Sequence, residues 1–496
     1  MKLLVSYGEI DDFARRREDT KERMRGLFCI TWRLGVLVQR ESARWRGGRQ
    51  CNAVAMRLLP PLIVPLSLMF SLIPAGLHAA ESPRPLLREL LGINGHAVLF
   101  KPDTYQALTR MVRDYHPMEW DLNGRTDTMP AFPFTRNRLD WSASYGSWRK
   151  AGYDVHCCLL FDSIKAADWI DPTLNGKAYG LAFAGAFGPS APGALVSSVE
   201  IGNEPSGYTN DQYRTLFAAL AAGVRAGDPR LQIASCAVTT GPSTPRARSI
   251  ECFRDFDHLL DVITIHPSAR LEERPTWGST FPEDPAITYL KEVRDVLSWR
   301  ERNAPGKPVW ITEYGWDCST RRPDQNGPFA KWSGVTDQQQ AQWLVRATLL
   351  FATLDVQRVY LQAADDADEP GPDRSAGITR NGTAKPSFHA LAHLVATLGD
   401  YRFAGIIRQD ADAVVLRFRS AADELKTLVV AWSPTGDERS VAFTTPLPAD
   451  RRVVRMQRMP LTAAQTEDLP APPTAADGTV TVTLTESPLY VWLDAR

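Results

Sequence analysis

Two glutamates stand where an apolar run gives way to a loop. The first lies in Val199-Glu200-Ile201-Gly202-Asn203-Glu204-Pro205 and the second in Val309-Trp310-Ile311-Thr312-Glu313-Tyr314-Gly315-Trp316. A carboxylate at such a place is solvated, paired or employed, and a loop-edge salt bridge would account for either one alone. The two together, one led by Asn and each followed by Pro or an aromatic residue, suit chemistry shared between two carboxyls.

For these residues to meet, the fold must bring positions 109 residues apart to one rim. Eight short apolar runs have strand character: Leu91–Val98, Met118–Leu122, Tyr153–Phe161, Leu195–Gly202, Leu231–Val238, Asp261–His266, Pro308–Glu313 and Gln357–Ala363. Helical patterns separate them. Thr209 with Gln212 forms a capping box ahead of Tyr213, Leu216, Phe217, Leu220 and Val224 on one face, and Gly227 supplies the stop. Thr336 and Gln339 repeat the device before Trp343, Ala347, Leu350, Phe351 and Leu354, while Leu290, Val293 and Leu297 mark another face. Strand–helix units repeated eight times predict an α/β fold, a closed (β/α)8 barrel over residues 84–398. A doubly wound sheet would want a Gly-rich phosphate turn, but Leu91-Gly92-Ile93-Asn94-Gly95 is not followed by GxxG. In a barrel the working groups sit at the C-terminal ends of the strands, which is where both glutamates fall.

From Gly399 onward the candidate strands have no helices between them: Ala413–Arg419, Lys426–Trp432, Val441–Thr445, Val453–Met459, Thr479–Leu484 and Leu489–Leu493. Val480, Val482 and Leu484 alternate with threonines, the period of a half-buried strand. A β-sandwich over residues 399–496 is expected, with Leu461–Asp477 as a loop.

Asn203-Glu204-Pro205 on strand four with Glu313 on strand seven resembles clan A of the retaining glycoside hydrolases. Leu91-Gly92-Ile93-Asn94-Gly95, Ile265-His266-Pro267 and Thr312-Glu313-Tyr314-Gly315-Trp316 are similar to family 39-like enzymes, which include β-xylosidases and exopolysaccharide-processing endoglycosidases. Ile201 to Ser206 also resembles strand four of the heparanase-like β-glucuronidases. The resemblance spans residues 90–396. It implies retaining hydrolysis of O-glycosidic bonds in a polysaccharide or oligosaccharide, with Glu313 as nucleophile, Glu204 as acid/base and no cofactor or metal. It further implies that Asn203 binds the sugar 2-hydroxyl and that His266 bonds the nucleophile or a sugar hydroxyl. Asn94 is placed among the substrate contacts.

Sugar rings present apolar C–H faces that flat indoles cover well, and ten of the fourteen tryptophans lie between Trp120 and Trp343. Trp120 and Trp316 are the candidate platforms, with Trp277 and Trp332 on the long loops Ser268–Pro285 and Asp317–Gly334 that would set specificity. Two departures from the family pattern stand out. The Arg that usually supports the nucleophile from strand two is missing from Met118–Leu122, Arg125 coming a few residues late. Ser268 follows His266-Pro267 where a Tyr is usual, so Tyr314 is the candidate for the missing hydroxyl. A carbohydrate-binding barrel without turnover is the competing reading, and the absent Arg motivates it.

The chain of 496 residues carries 57 basic and 57 acidic side chains. The balance conceals a split. Residues 1–80 hold 13 Lys and Arg against 7 Asp and Glu, leaving 44 and 50 for the rest, so the leader is +6 and the body −6. An acidic body gives no reason to expect nucleic acid and counts mildly against polyanionic polymers. Arg57, the uncharged apolar run Leu58–Leu77 and His78-Ala79-Ala80 are the parts of a secretory signal, with Met56 a natural initiator. Residues 56–80 are therefore expected to be a signal peptide for a secreted or periplasmic protein, with no stable membrane insertion after cleavage. An uncleaved anchor is the alternative, weakened by Pro60, Pro61, Pro65 and Pro74. The basic residues 1–55 read as an extended leader or as a start codon placed too early. None of the seven cysteines has zinc-site spacing, and Cys236, Cys252 and Cys318 leave room for one disulfide. Asp365, Asp366, Asp368, Glu369 and Asp373 do not match a calcium loop and read as a solvated acidic stretch. Asn381-Gly382-Thr383 fits a glycosylation sequon.

Overall fold

The computed structural model of the protein describes residues 84–495 apart from 123, 448, 449, 466 and 467. The basic leader and the signal segment lie outside the described residues. Eight parallel strands run β1 (Leu91–Gly95), β2 (Met111–Pro117), β3 (Asp154–Leu160), β4 (Ser198–Ile201), β5 (Gln232–Thr239), β6 (Val262–Ile265), β7 (Val309–Tyr314) and β8 (Arg358–Leu361). Each pairs with the next in sequence, and β8 returns to β1 through Leu91–Val359 and Ile93–Leu361, closing the barrel. Around it lie the helices α1 (Trp141–Lys150), α2 (Pro172–Phe187), α3 (Asn210–Gly227), α4 (Tyr289–Asn303), α5 (Asp337–Ala352) and α6 (Pro386–Leu398). Both predicted capping boxes form, at Thr209/Gln212 and Thr336/Gln339, and α3 ends at Gly227 as expected.

Seven of the eight strands fall where the apolar runs placed them. The second does not. Met118–Asp121 is a single helical turn, and β2 is the preceding Met111-Val112-Arg113-Asp114-Tyr115-His116-Pro117. A strand so rich in polar groups escapes a search for apolar runs. It is buried because each polar group finds a partner on one side or the other of the barrel wall. Arg113 and Tyr115 bond residues of the interior, whereas Asp114 and His116 bond Tyr145 on α1.

The barrel interior is layered. Met111, Ala234, Val262, Trp310 and Tyr360 make an apolar plug. His156 packs edge-on against Trp310 at 5.3 Å and begins a polar layer containing Arg113 and Glu200. The plug excludes water from beneath that layer, so the charges in it must be paired within the protein.

The predicted C-terminal strands are present, together with Tyr401–Gln409, which the apolar pattern did not reveal. Tyr401–Gln409, Val414–Ser420, Thr427–Trp432, Leu489–Ala495, Arg451–Arg458 and Asp468–Leu469 form one sheet, and Val441–Pro446 pairs with Thr479–Leu484 in a second. Strand periodicity divides the larger sheet between two cores. Val415, Val429 and Met456 join Phe443 and Leu484 in the space between the sheets, while Leu416, Phe418, Val430 and Trp432 join the barrel's core. Glu283 fastens the two parts. It pairs with buried Arg346 of α5 and accepts a 2.6 Å bond from the Trp432 indole.

Two expectations are corrected here. The described cysteines are all free and buried, so no disulfide joins Cys236, Cys252 and Cys318. The acidic stretch is not a solvated loop. Asp366 pairs at 2.5 Å with Lys385, both buried, and Asp368 accepts from Ser319 and Thr320 and meets Arg380.

Candidate active site

At the C-terminal end of the barrel, Glu204 follows β4 and Glu313 sits near the end of β7. Carboxylate oxygens of the two, with a ring nitrogen of His266, lie within 4.8 Å of one another. The phase of β7 would not by itself deliver this. Trp310 faces the interior plug, so strict alternation would turn Tyr314 inward and Glu313 away. A register irregularity between Ile311 and Tyr314 reverses the order. Glu313 thereby enters the site, and Tyr314 turns outward to bond Thr348 of α5 at 2.7 Å.

The missing strand-two arginine is Arg113. Its Nη1 donates to Glu313 Oε1 at 3.3 Å and to Asn94 Oδ1 at 2.7 Å. Its Nη2 reaches Asn203 Oδ1 at 2.8 Å, and its Nε and Nη2 grip Glu200 at 2.8 and 3.0 Å. Arg113 and Glu200 are both fully buried. Burial opposes the Glu200 charge, but Arg113 beside it outweighs that cost and, with the His156 hydrogen bond, holds the carboxyl down to about 2. Tyr115, two residues along β2, donates to Glu313 Oε1 at 2.7 Å. Burial first, then the Glu313 charge, holds its phenol well above its ordinary value, so it stays a donor. Both donors go to Oε1, and Oε2 lies 3.9 Å from His266 Nδ1.

His266 stands between the two glutamates. Its Nδ1 is 3.3 Å from Glu204 Oε1, and its Nε2 is held by Thr312 Oγ1 at 2.9 Å. Burial disfavours the imidazolium, yet the charge of Glu313 and the hydrogen bond to Glu204 prevail and raise its pKa above 6.5. These three residues could also bracket a divalent cation, but the Arg113 guanidinium already supplies positive charge to the cluster.

The other expected contacts divide. Asn203 commits Oδ1 to Arg113, which leaves its Nδ2 without a partner among the described residues. Trp120 is half-buried at the rim, edge-on to His96 and stacked on Trp141. Asn94 does not face a ligand. It is buried, and its amide bridges Thr312 O and Leu361 O, so it seals β1 to β7 and β8 while steadying Arg113. Trp316 is no platform either, being 1% exposed with its indole bonded to Thr280 O and packed on Tyr289 and Trp343. Tyr314, the candidate for the missing hydroxyl, bonds Thr348 instead, and Tyr115 is the tyrosine that donates to Glu313. Arg113 and Tyr115 escape the search for apolar runs, and Glu200, inside the fourth run, is not singled out by it. The available signal is the alternation of Arg113 with Tyr115 ahead of His116-Pro117, which marks a strand with a polar inner face.

No family model matches the chain, and no curated protein matches it. Solved structures do. A family 39 glycoside hydrolase from Bacteroides cellulosilyticus WH2 is 19% identical with a TM-score of 0.60, over 83% of this chain and 81% of that one. A glucosidase from Croceicoccus marinus is 15% identical with a TM-score of 0.55, over 83% and 97%. A family 30 subfamily 8 xylanase from Clostridium acetobutylicum is 13% identical with a TM-score of 0.51, over 84% and 98%. The closed barrel with its C-terminal β-sheets is thus a fold shared with these glycoside hydrolases.

Proposed function

We propose that the protein is an exported retaining glycoside hydrolase that cleaves O-glycosidic bonds of a polysaccharide or oligosaccharide, Glu313 being the nucleophile and Glu204 the acid/base. The observation that carries this reading is the convergence of the two carboxyls, within 4.8 Å. Retaining hydrolysis works with carboxyls about 5–5.5 Å apart, whereas inversion needs room for a water between them. In the first step Glu313 Oε2 attacks the anomeric carbon, the bond to the leaving oxygen breaks, and Glu204 gives that oxygen its proton. In the second, Glu204 takes a proton from water as the water oxygen displaces Glu313, and the anomeric configuration is retained. Arg113 and Tyr115 steady Oε1 and leave Oε2 to attack. The Nδ2 of Asn203 is the donor for the 2-hydroxyl, and Trp120 is the candidate stacking surface. No cofactor is required by these steps.

The structural neighbours include a glucosidase and a xylanase. For this chain a β-xyloside, a β-glucuronide and an internal polysaccharide linkage are the substrates to screen, with product anomers followed by NMR. Glu313→Gln should abolish hydrolysis of whatever substrate the wild type cleaves, and a mechanism-based fluoro-sugar ester should label Glu313. Full activity of that variant would sink the assignment. The competing reading, a binding barrel without turnover, rests on an absent strand-two arginine, and Arg113 fills that place. Export rests on residues 56–80 and is tested by N-terminal sequencing of the mature protein, which should begin close to Glu81. No helix among the described residues is long and apolar enough to cross a membrane.

A further inference from the structure

Four βα loops meet at one residue, Asp373. Asp373, in the loop after β8, has a left-handed backbone with φ of 61°. A non-glycine residue holds that conformation only where its surroundings enforce it. Here Asp317, just past β7, enforces it by accepting the backbone N–H groups of Asp373, Arg374 and Ser375 at 2.8, 3.0 and 2.9 Å. With its backbone held, Asp373 accepts from Gln362 at the end of β8 at 3.1 Å and from Arg270 of the β6 loop at 2.9 Å. Its other oxygen meets Nη2 of Arg246, from the β5 loop, at 3.4 Å.

Arg246 lines a cavity of about 150 Å³ in which the hydroxyls of Thr239, Thr240, Thr244 and Ser268 and the ring of His266 stand beside apolar Val238 and Ile265 and the carboxyl of Glu292. His266 is the residue bonded to Glu204, so the cavity adjoins the catalytic pair. Burial works against the Arg246 charge, but Asp373, Glu204, Glu273 and Glu313 together keep its pKa raised. The guanidinium therefore lies within the field of both proposed catalytic carboxylates. Its ion pairs are long, 3.4 Å to Asp373 and 3.9 Å to Glu273, and its Nη1 has no partner among the described residues. A planar group with five donors, so lightly committed and set in a wall of hydroxyl and apolar side chains, is equipped to bind a ring with polar edges and apolar faces.

We propose that Arg246 is a substrate-binding residue, the charged wall of a subsite that takes sugar hydroxyls next to the catalytic pair, and that Asp373 is the positioning residue that aims it. The proposal rests on the glycosidase reading above. It makes the β8 loop a determinant of affinity although that loop lies across the cleft wall from the β5 loop it serves.

The test uses the full chain and steady-state kinetics on the best substrate from 4-nitrophenyl β-D-xyloside, glucoside and glucuronide and from xylan. Arg246→Ala should raise KM about tenfold or more while kcat stays within about threefold, the signature of lost binding common to ground and transition states. Arg246→Lys should recover part of the loss. Asp373→Asn, which keeps the shape and removes the charge, should raise KM in the wild-type background and add nothing in the Arg246→Ala background. Thermal melts confirm that each variant is folded. Unchanged KM in Arg246→Ala, or an Asp373→Asn effect that persists undiminished without Arg246, would overturn the proposal. Failure of the underlying reading shows differently: the wild type itself would then cleave none of the four substrates.

Discussion

The Tyr115 hydroxyl and the Arg113 guanidinium converge on the same oxygen of Glu313, one at 2.7 Å and the other at 3.3 Å. Two donors on one oxygen hold Oε1 and leave Oε2 to be the attacking oxygen of the proposed mechanism. Tyr115→Phe removes one donor without opening a large hole. It should lower kcat by about 10- to 100-fold with little change in KM, since the misaligned oxygen matters most in the transition state. Steady-state kinetics alongside a melt would check it, and an unchanged kcat would remove Tyr115 from the mechanism.

Arg113 also serves stability. Arg113→Met leaves Glu200 charged and fully buried without its partner. Breaking such a pair costs about 3–5 kcal/mol. Denaturant unfolding at neutral pH should show the midpoint falling accordingly.

The depressed pKa of Glu200 gives a pH signature. A carboxyl near 4.5 when unfolded and about 2 when folded stabilises the native state fully above 4.5 and loses that contribution as pH falls through about 2. The contribution is about 3 kcal/mol, because each tenfold difference in proton affinity between the two states is worth about 1.4 kcal/mol. Stability measured from pH 5 to pH 2 should fall steeply in the wild type. In Glu200→Gln it should be lower at pH 7 but flatter across that window.

His266 has the opposite sign. Burial opposes its charge, yet Glu313 and Glu204 raise its pKa above 6.5. Its stabilising contribution is therefore full below 6.5 and fades as pH rises through the raised value. An NMR titration should place the imidazole midpoint above 6.5 and should show it falling in Glu313→Gln. A midpoint that ignores that substitution would disprove the coupling.

The contact between barrel and sheets makes a mechanical prediction. Glu283 joins buried Arg346 to the Trp432 indole, and one face of the larger sheet belongs to the barrel's core. Glu283→Ala should cost about 3–5 kcal/mol by stranding Arg346. A chain ended at Leu398 should fail to give soluble protein, because Trp343 and its neighbours would lose their cover.

Much of the barrel was legible because buried parallel strands read as apolar runs and the capping boxes announce α3 and α5. Glu204 and Glu313 were legible because a carboxylate at the end of such a run is out of place. The rest hid for three physical reasons. The strand β2 is polar from Arg113 to His116, its cost of burial met by partners up to 200 residues away that no local pattern displays. Tyr314 and Trp316 could not be oriented, since the irregularity in β7 that turns Glu313 inward and Tyr314 outward has no sequence marker. Trp316 shows besides that an indole near a catalytic group is as readily a core side chain as a sugar platform.

Closure of the barrel depends on β8 meeting β1, a union that Asn94 seals by bonding Leu361, 267 residues away. A nascent chain that has emerged only as far as Lys307 owns Arg113, Glu200, Asn203 and Glu204 but neither Glu313 nor the two strands that close the barrel. One of the two proposed catalytic carboxyls is thus synthesised long before the other, and the site is complete only when the last strands join. The proposed chemistry therefore waits on the closure of the barrel.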